Sequence, residues 1–234
     1  MTWVKICGIT NLEDALVAVE AGADALGFVF HANSPRKIEP KQARAIREAM
    51  PEHIERVGVF VNSAESEMDA VAQEADLTAW QLHKDLSGSL LGDAMREGGW
   101  LSIQGPSSRG RNLYVSLPAD LLIDDEGYRG FGWAKGLEKS ISALFIDSGR
   151  GDMPGGTGKT FDWVQLQRTV LCLTMNFNVV VAGGLTPDNV SEAMRILHPW
   201  GVDVSSGVEA RPGKKDPVEV RAFVKAVRAA DKAS

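Results

Sequence analysis

The chain has 234 residues, 44% hydrophobic and 24% charged, proportions of an ordinary globular protein that exclude a disordered or fibrous chain. Its 25 basic and 31 acidic side chains leave a net charge of −6, which argues against the basic footprint that nucleic-acid binding normally needs. Two cysteines make no disulfide framework, the opening MTWVKICGIT has no secretory pattern, and no apolar run nears the roughly 18 residues of a membrane span, so a reducing cytoplasm is the expected compartment.

Taken in chain order, short apolar runs alternate with longer helical patterns. WVKIC (3–7) precedes a helical pattern over 11–21, ALGFVF (25–30) one over 40–50, VGVFV (57–61) one over 65–75, and TAWQLH (78–83) one over 89–98. NLYVSL (112–117) leads into 119–142, a Gly-rich stretch with a short helix at best. ALFID (143–147) leads to a helix over 161–172, NVVVA (178–182) to one over 187–197, and GVDVS (201–205) to one over 216–230. Eight units in 234 residues average about 29 residues each, near the roughly 30 of a βαβ unit, and the alternation implies a parallel sheet. Closure removes both sheet edges, so the expectation is a single α/β domain, a (β/α)8 TIM barrel over 1–234; an open doubly wound sheet is the alternative. Helix starts agree with this parse. Thr10 or Asn11 can cap the first helix, Thr186 before Pro187 the helix after strand 7, and Asp216 before Pro217 the last.

Side chains alternate across a strand. In strand 1, Val4 and Ile6 share one face while Trp3, Lys5 and Cys7 share the other; in strand 8, Val202 and Val204 oppose Asp203 and Ser205; in strand 4, Trp80 and Leu82 oppose Gln81 and His83. The apolar faces belong against helices and the mixed faces inside the barrel. Strands 1 and 8 become neighbours on closure, so Lys5 and Asp203 are expected to pair there.

Active sites of (β/α)8 enzymes lie at the carboxyl ends of the strands. Those ends read Cys7, His31 with the loop to Arg36, Asn62, His83, Asp147, Gly183-Gly184 and Ser205-Ser206-Gly207. One polar strand end is ordinarily a cap or turn, but here six or more converge. AGGLTPDN after strand 7 and SSGVE after strand 8 occupy the places where this fold frequently binds phosphate, with glycines admitting backbone N–H groups close to the oxygens. Together they imply a small phosphorylated substrate.

Cys172 falls inside a helical pattern and reads as packing. Cys7 ends a strand. A thiol of pKa about 8.5 is only about 3% ionised at pH 7, so to serve as a base it needs a nearby positive charge, and Lys5 lies two residues back on the same face. Asp147 follows three apolar residues and suits a carboxyl held protonated as a general acid, across the barrel mouth from Cys7. The guanidinium of Arg36, in HANSPRKI, can take a carboxylate with two parallel bonds. GDMPGGTGK after Asp147 reads as a flexible flap; it lacks the spacer of a Walker A loop. The four histidines are scattered without metal-ligand spacing, so no metal is expected.

Collected in order, these residues resemble the phosphoribosylanthranilate isomerase family. The blocks are VKICGIT (4–10), GFVF…SPR (27–36), VGVFVN (57–62), QLH (81–83), FIDSG (145–149) with GGTGKTFDW (155–163), AGGLTPDNV (182–190) and DVSSGVEARPGKKD (203–216). KICGIT and VSSGVE…PGKKD are the most specific. Lys84 stands where the family usually has Gly, and 100–142 matches poorly. The resemblance implies a cofactor-free Amadori rearrangement of N-(5-phosphoribosyl)anthranilate in tryptophan biosynthesis. It assigns Asp147 as the acid that protonates the furanose oxygen and Cys7, as thiolate, as the base that removes the C2 proton. Arg36 would hold the anthranilate carboxylate, and backbone amides of Gly183, Gly184, Ser206 and Gly207 the phosphate, with His83 and Asp203 lining the pocket. A cytoplasmic monomer or homodimer without nucleic-acid or membrane partners is expected. Two alternatives stand beside this reading. One is the histidine-pathway isomerase, which pairs two aspartates where strand 1 here ends on Cys7; the other is a non-catalytic phosphosugar-binding barrel.

Overall fold

A computed structural model describes residues 1–83, 110–122, 141–148 and 160–233. The helix expected at 89–98, Lys84, most of 100–142 and the whole flap GDMPGGTGK (151–159) lie outside the described residues.

Each apolar run forms a strand: β1 (Trp3–Cys7), β2 (Ala25–Val29), β3 (Glu55–Val61), β4 (Ala79–His83), β5 (Asn112–Pro118), β6 (Ala143–Asp147), β7 (Val179–Val181) and β8 (Gly201–Val204). The helices between them are α1 (Leu12–Ala21), α2 (Pro40–Glu48), α3 (Glu65–Ala75), α4 (Trp163–Leu173), α5 (Val190–Leu197) and α6 (Pro217–Ala233). The eight strands close into one parallel barrel, which rules out the open sheet. At the seam Lys5 lies opposite Asp203 of β8, and on its other side opposite Ala25 of β2. After β8 the chain adds a short antiparallel hairpin, β9 (Glu209–Arg211) with β10 (Lys214–Lys215). Among the described residues no helix is long and apolar enough to cross a membrane.

Local chemistry sets the helix ends. Asn11 caps α1 by accepting from Asp14 N at 3.0 Å, and Gly22, at φ +98°, stops it in the left-handed conformation that glycine adopts without a Cβ clash. Asp216 accepts from Val218 N at 2.8 Å, with Pro217 in the first position of α6. The expected Thr186 cap is not formed. The helix starts at Val190, and the Asn189 side chain instead accepts from Thr186 N at 2.8 Å, folding 186–189 into a turn before the helix.

The period-two reading of the strands holds. Val4, Ile6, Trp80, Leu82, Val202 and Val204 face outward into the layer beneath the helices and are at most 4% exposed. Inside, the amino end of the barrel is filled by Ala25, Val57, Ala79, Tyr114, Ala143, Phe145 and Val180, with Trp3 packed against them. Trp3, Tyr114 and Phe145 meet with ring centroids 5.4–6.2 Å apart. Each of the larger apolar side chains here contributes about 1.5–3 kcal/mol by leaving water. This plug closes one end of the barrel. The polar interior residues lie above it, toward the carboxyl ends of the strands.

Candidate active site

Lys5 is fully buried, and its Nζ donates to Asp203 Oδ1 at 2.9 Å. The ammonium also sits 5.4 Å from the centre of the Phe145 ring. Cys7 is next on the same face, one step nearer the mouth. Both side chains depend on Gly27 of the neighbouring strand: a Cβ there would lie 2.7 Å from Cys7 Sγ and 3.0 Å from Lys5 Cε. Only glycine leaves that space.

Burial pushes the Cys7 thiol up; the Lys5 ammonium pulls it down, the Asp203 charge pushes it up again, and burial prevails. The charge expected to activate Cys7 is therefore in place, but it is outweighed: the resting form is the thiol. Burial disfavours the charge on Lys5 too, yet Asp203 and Cys7 hold its pKa above the ordinary lysine value. Burial raises Asp203 against the opposing pull of Lys5, and the charge of Asp147 raises it further. Asp147, 9% exposed at the end of β6, is therefore near enough to Asp203 for the two carboxyls to interact.

His83 projects from the end of β4 into the same space. Its Nε2 lies 3.1 Å from Ser116 Oγ and 3.2 Å from Gln81 Nε2. Gln81 Nε2 also donates to Ser116 Oγ at 3.0 Å. Burial, then the nearby Lys5 charge, pulls the His83 pKa down from 6.5 to about 4, so the ring is neutral at pH 7.

The glycine turns after β7 and β8 form one surface. Gly183 and Gly184 have φ of +77° and +66°, and a Cβ on Gly183 would overlap Ser148 at the end of β6. A Cβ on Gly207 would overlap the Leu185 carbonyl oxygen, so the two turns touch through bare backbone. Ser206–Val208 is a single 3-10 turn. Asn189 fixes the first loop by donating to Gly184 O at 3.0 Å as well as accepting from Thr186 N. The buried hydroxyls of Ser148 and Ser205, flanking these turns, have no hydrogen-bond partner among the described residues. An unpaired buried hydroxyl costs about 1–3 kcal/mol, a cost that a polar ligand at this surface removes.

Arg36 reaches this rim across Gly8: a Cβ on Gly8, whose φ is +79°, would lie 2.6 Å from Arg36 Cδ. Its Nε and Nη2 donate to the two oxygens of Glu209 at 2.9 and 2.8 Å. Lys215, 1% exposed, donates to Glu209 Oε1 at 3.0 Å and to Ser205 O at 3.1 Å. Burial works to raise the Glu209 pKa, but the Arg36 and Lys215 bonds carry it below the usual glutamate range. Burial lowers Lys215 against the opposing pull of Glu209.

Thus the sequence-predicted residues converge. Asp203 interacts electrostatically with each of Cys7, Asp147 and His83, and Arg36 and the glycine turns meet beside this cluster at Gly8 and Ser205. Sequence reading missed Gly27, Asn189, Glu209 and Lys215. The last two stand in the specific block VSSGVE…PGKKD, but charged hairpin residues ordinarily read as solvated surface. Among the described residues no group of His, Cys, Asp or Glu could hold a metal ion.

Comparison with known proteins gives consistent matches. The family model described as N-(5'phosphoribosyl)anthranilate (PRA) isomerase matches residues 4–98 and 133–226. An N-(5'-phosphoribosyl)anthranilate isomerase of Pelobacter propionicus is 40% identical over 225 residues, covering 96% of this chain and 95% of its own. The crystal structure of phosphoribosyl anthranilate isomerase from Thermotoga maritima superposes with a TM-score of 0.76 at 36% identity, covering 98% of this chain and 100% of its own. A phosphoribosyl anthranilate isomerase in complex with reduced 1-(o-carboxyphenylamino)-1-deoxyribulose 5-phosphate superposes with a TM-score of 0.73 at 36% identity over the same shares.

Proposed function

This chain belongs to the phosphoribosylanthranilate isomerase family, and from that premise we propose that Cys7 is its general base and Asp147 its general acid. The reaction is the Amadori rearrangement of N-(5-phosphoribosyl)anthranilate to 1-(2-carboxyphenylamino)-1-deoxyribulose 5-phosphate, a step of tryptophan biosynthesis. The observation that carries the residue assignment is the interior cluster: thiol, ammonium and two carboxyls coupled to one another through Asp203, beside a surface of bare backbone.

In this reading the Asp147 carboxyl gives its proton to the furanose oxygen. The C1–O bond breaks as the anthranilate nitrogen supplies its electron pair, leaving an open-chain iminium. The Cys7 thiolate then takes the proton from C2, and that C–H pair becomes the C1–C2 double bond while the nitrogen recovers its electrons. The enol so formed shifts its hydroxyl proton to C1, giving the ketone. Every proton that enters is matched by one that leaves, so no external cofactor takes part. The thiolate is a minority form in the resting protein, and Lys5 is the charge that stabilises it. Arg36 binds the anthranilate carboxylate, and backbone amides of Gly183, Gly184, Ser206 and Gly207 bind the phosphate. His83 donates or accepts hydrogen bonds along the sugar as a neutral ring, and Asp203 keeps Lys5 in place.

The test separates chemistry from binding. Cys7→Ala and Asp147→Asn should each lower kcat by about 10²–10⁴-fold, the usual contribution of one acid or base. Affinity for the reduced product analogue should change little, because neither side chain holds the phosphate or carboxylate. Unchanged turnover in either variant removes that residue from the mechanism.

A further inference from the structure

The hairpin after β8 is organised around a carboxylate with no part in the proton transfers. The Glu209 side chain is 4% exposed, and it accepts from Arg36 Nε at 2.9 Å, Arg36 Nη2 at 2.8 Å, Lys215 Nζ at 3.0 Å and Gly213 N at 3.3 Å. The hairpin is itself held from three sides. Lys215 N donates to Asp14 Oδ2 in the first turn of α1 at 2.8 Å. Gly213 O accepts from Thr10 Oγ1 at 2.6 Å. Gly213, at φ +78°, packs so closely that a Cβ would lie 2.9 Å from the carbonyl oxygen of Pro35, the residue before Arg36. Glu209 therefore has a defined position relative to Arg36, whose stem crosses the residue after Cys7.

A guanidinium carries five N–H donors in one rigid plane. Glu209 takes one from Nε and one from Nη2, which sets both the position and the tilt of that plane. Nη1 has no acceptor among the described residues, so the fork keeps donors for a second carboxylate. Burying three charged groups together carries a desolvation cost that an exposed arginine would not incur. That cost is understandable if the gain is orientation.

We propose that Glu209 is a positioning residue that makes this isomerase selective for a carboxylated aglycone, by locking Arg36 so that its remaining donors face the substrate carboxylate. The inference rests on the assignment of that carboxylate to Arg36. A purely Coulombic view has the opposite sign: Glu209 is an anion near an anion-binding group, so removing its charge would strengthen binding.

The experiment compares equilibrium affinities, by calorimetry, for two stable ligands: the reduced 1-(o-carboxyphenylamino)-1-deoxyribulose 5-phosphate and its phenylamino counterpart without the carboxylate. The readout is the ratio of the two dissociation constants in the wild type, Arg36→Met, Glu209→Gln and Glu209→Asp. Arg36→Met should bring the ratio close to one. Glu209→Gln should reduce it about tenfold by weakening the carboxylated ligand alone, the usual effect of losing one well-aimed charged hydrogen bond. Glu209→Asp keeps the charge and the Lys215 pair but retracts the carboxylate by one methylene, so the ratio should fall severalfold; it supplies the reading if the glutamine variant does not fold. A merely structural role would weaken both ligands together and leave the ratio at its wild-type value, which overturns the proposal, as does a rise in the ratio. If Arg36→Met retains the ratio, the assignment of Arg36 fails and this inference with it. If Arg36→Met loses the ratio while Glu209→Gln retains it, only this inference fails.

Discussion

Lys5 and Asp203 join at 2.9 Å inside the barrel although 198 positions separate them in the chain. They are register partners on β1 and β8, so the ion pair spans the seam that closes the barrel. Removing one member leaves the other charged and buried. Lys5→Met and Asp203→Leu should each cost about 3–5 kcal/mol, while the double replacement recovers most of that loss. Urea denaturation of the two single variants and the double variant measures the coupling; additive losses would show that the pair is not a unit.

The burial of Cys7 predicts its ionisation. Because the folded environment raises the thiol, the thiolate fraction is small at pH 7 and grows tenfold per pH unit up to a midpoint above the ordinary thiol value. Inactivation by iodoacetamide should follow that curve, with no plateau between about pH 7 and 8.5. In Lys5→Met the curve should move to still higher pH, since the charge that lowers the thiol is gone. A plateau near neutrality in the wild type would mean that Lys5 outweighs burial.

Two glycines are required for close approach rather than for turning. Gly207→Ala forces its new methyl against the Leu185 carbonyl and separates the turns after β7 and β8, so affinity for a phosphate-bearing ligand should fall by about tenfold or more. Gly27→Ala instead crowds Cys7 Sγ and should lower kcat while phosphate affinity holds. Steady-state kinetics with a ligand titration separates the two. The same loss pattern in both variants would contradict the proposed separation of phosphate binding from proton transfer.

His83 is held neutral, which gives a signed dependence of stability on pH. Its pKa falls from 6.5 unfolded to about 4 folded, so between those values the unfolded chain binds more protons. This group's contribution is fully present above pH 6.5 and is lost as pH falls toward 4. The difference in urea midpoint between wild type and His83→Gln should therefore shift against the wild type from pH 7 to pH 5. A constant difference would show that the ring is already charged or already free to protonate.

The residues that were legible in advance share one property: their placement depends on near neighbours in the chain. Alternation put Lys5, Cys7, Gln81, His83 and Asp203 on inward faces, because period two is a consequence of strand geometry alone. Asn11 and Asp216 cap their helices for the same local reason. Thr186 does not cap the helix, which begins only at Val190; Asn189, three residues on, accepts from Thr186 N–H and donates to Gly184 O, tying this turn to the loop. That choice belongs to the glycine turn, not to the helix.

From the amino-acid order alone came the eight strands, their inward faces, the glycine turns after β7 and β8 and the identity of the groups at the mouth. Closure of the barrel decided the rest. It set Glu209 against Arg36 across 173 positions, buried Lys215 beside them, and removed so much water from Cys7 that a neighbouring ammonium no longer suffices to ionise it. Desolvation and long-range pairing depend on what surrounds a side chain in three dimensions, and no local pattern encodes that.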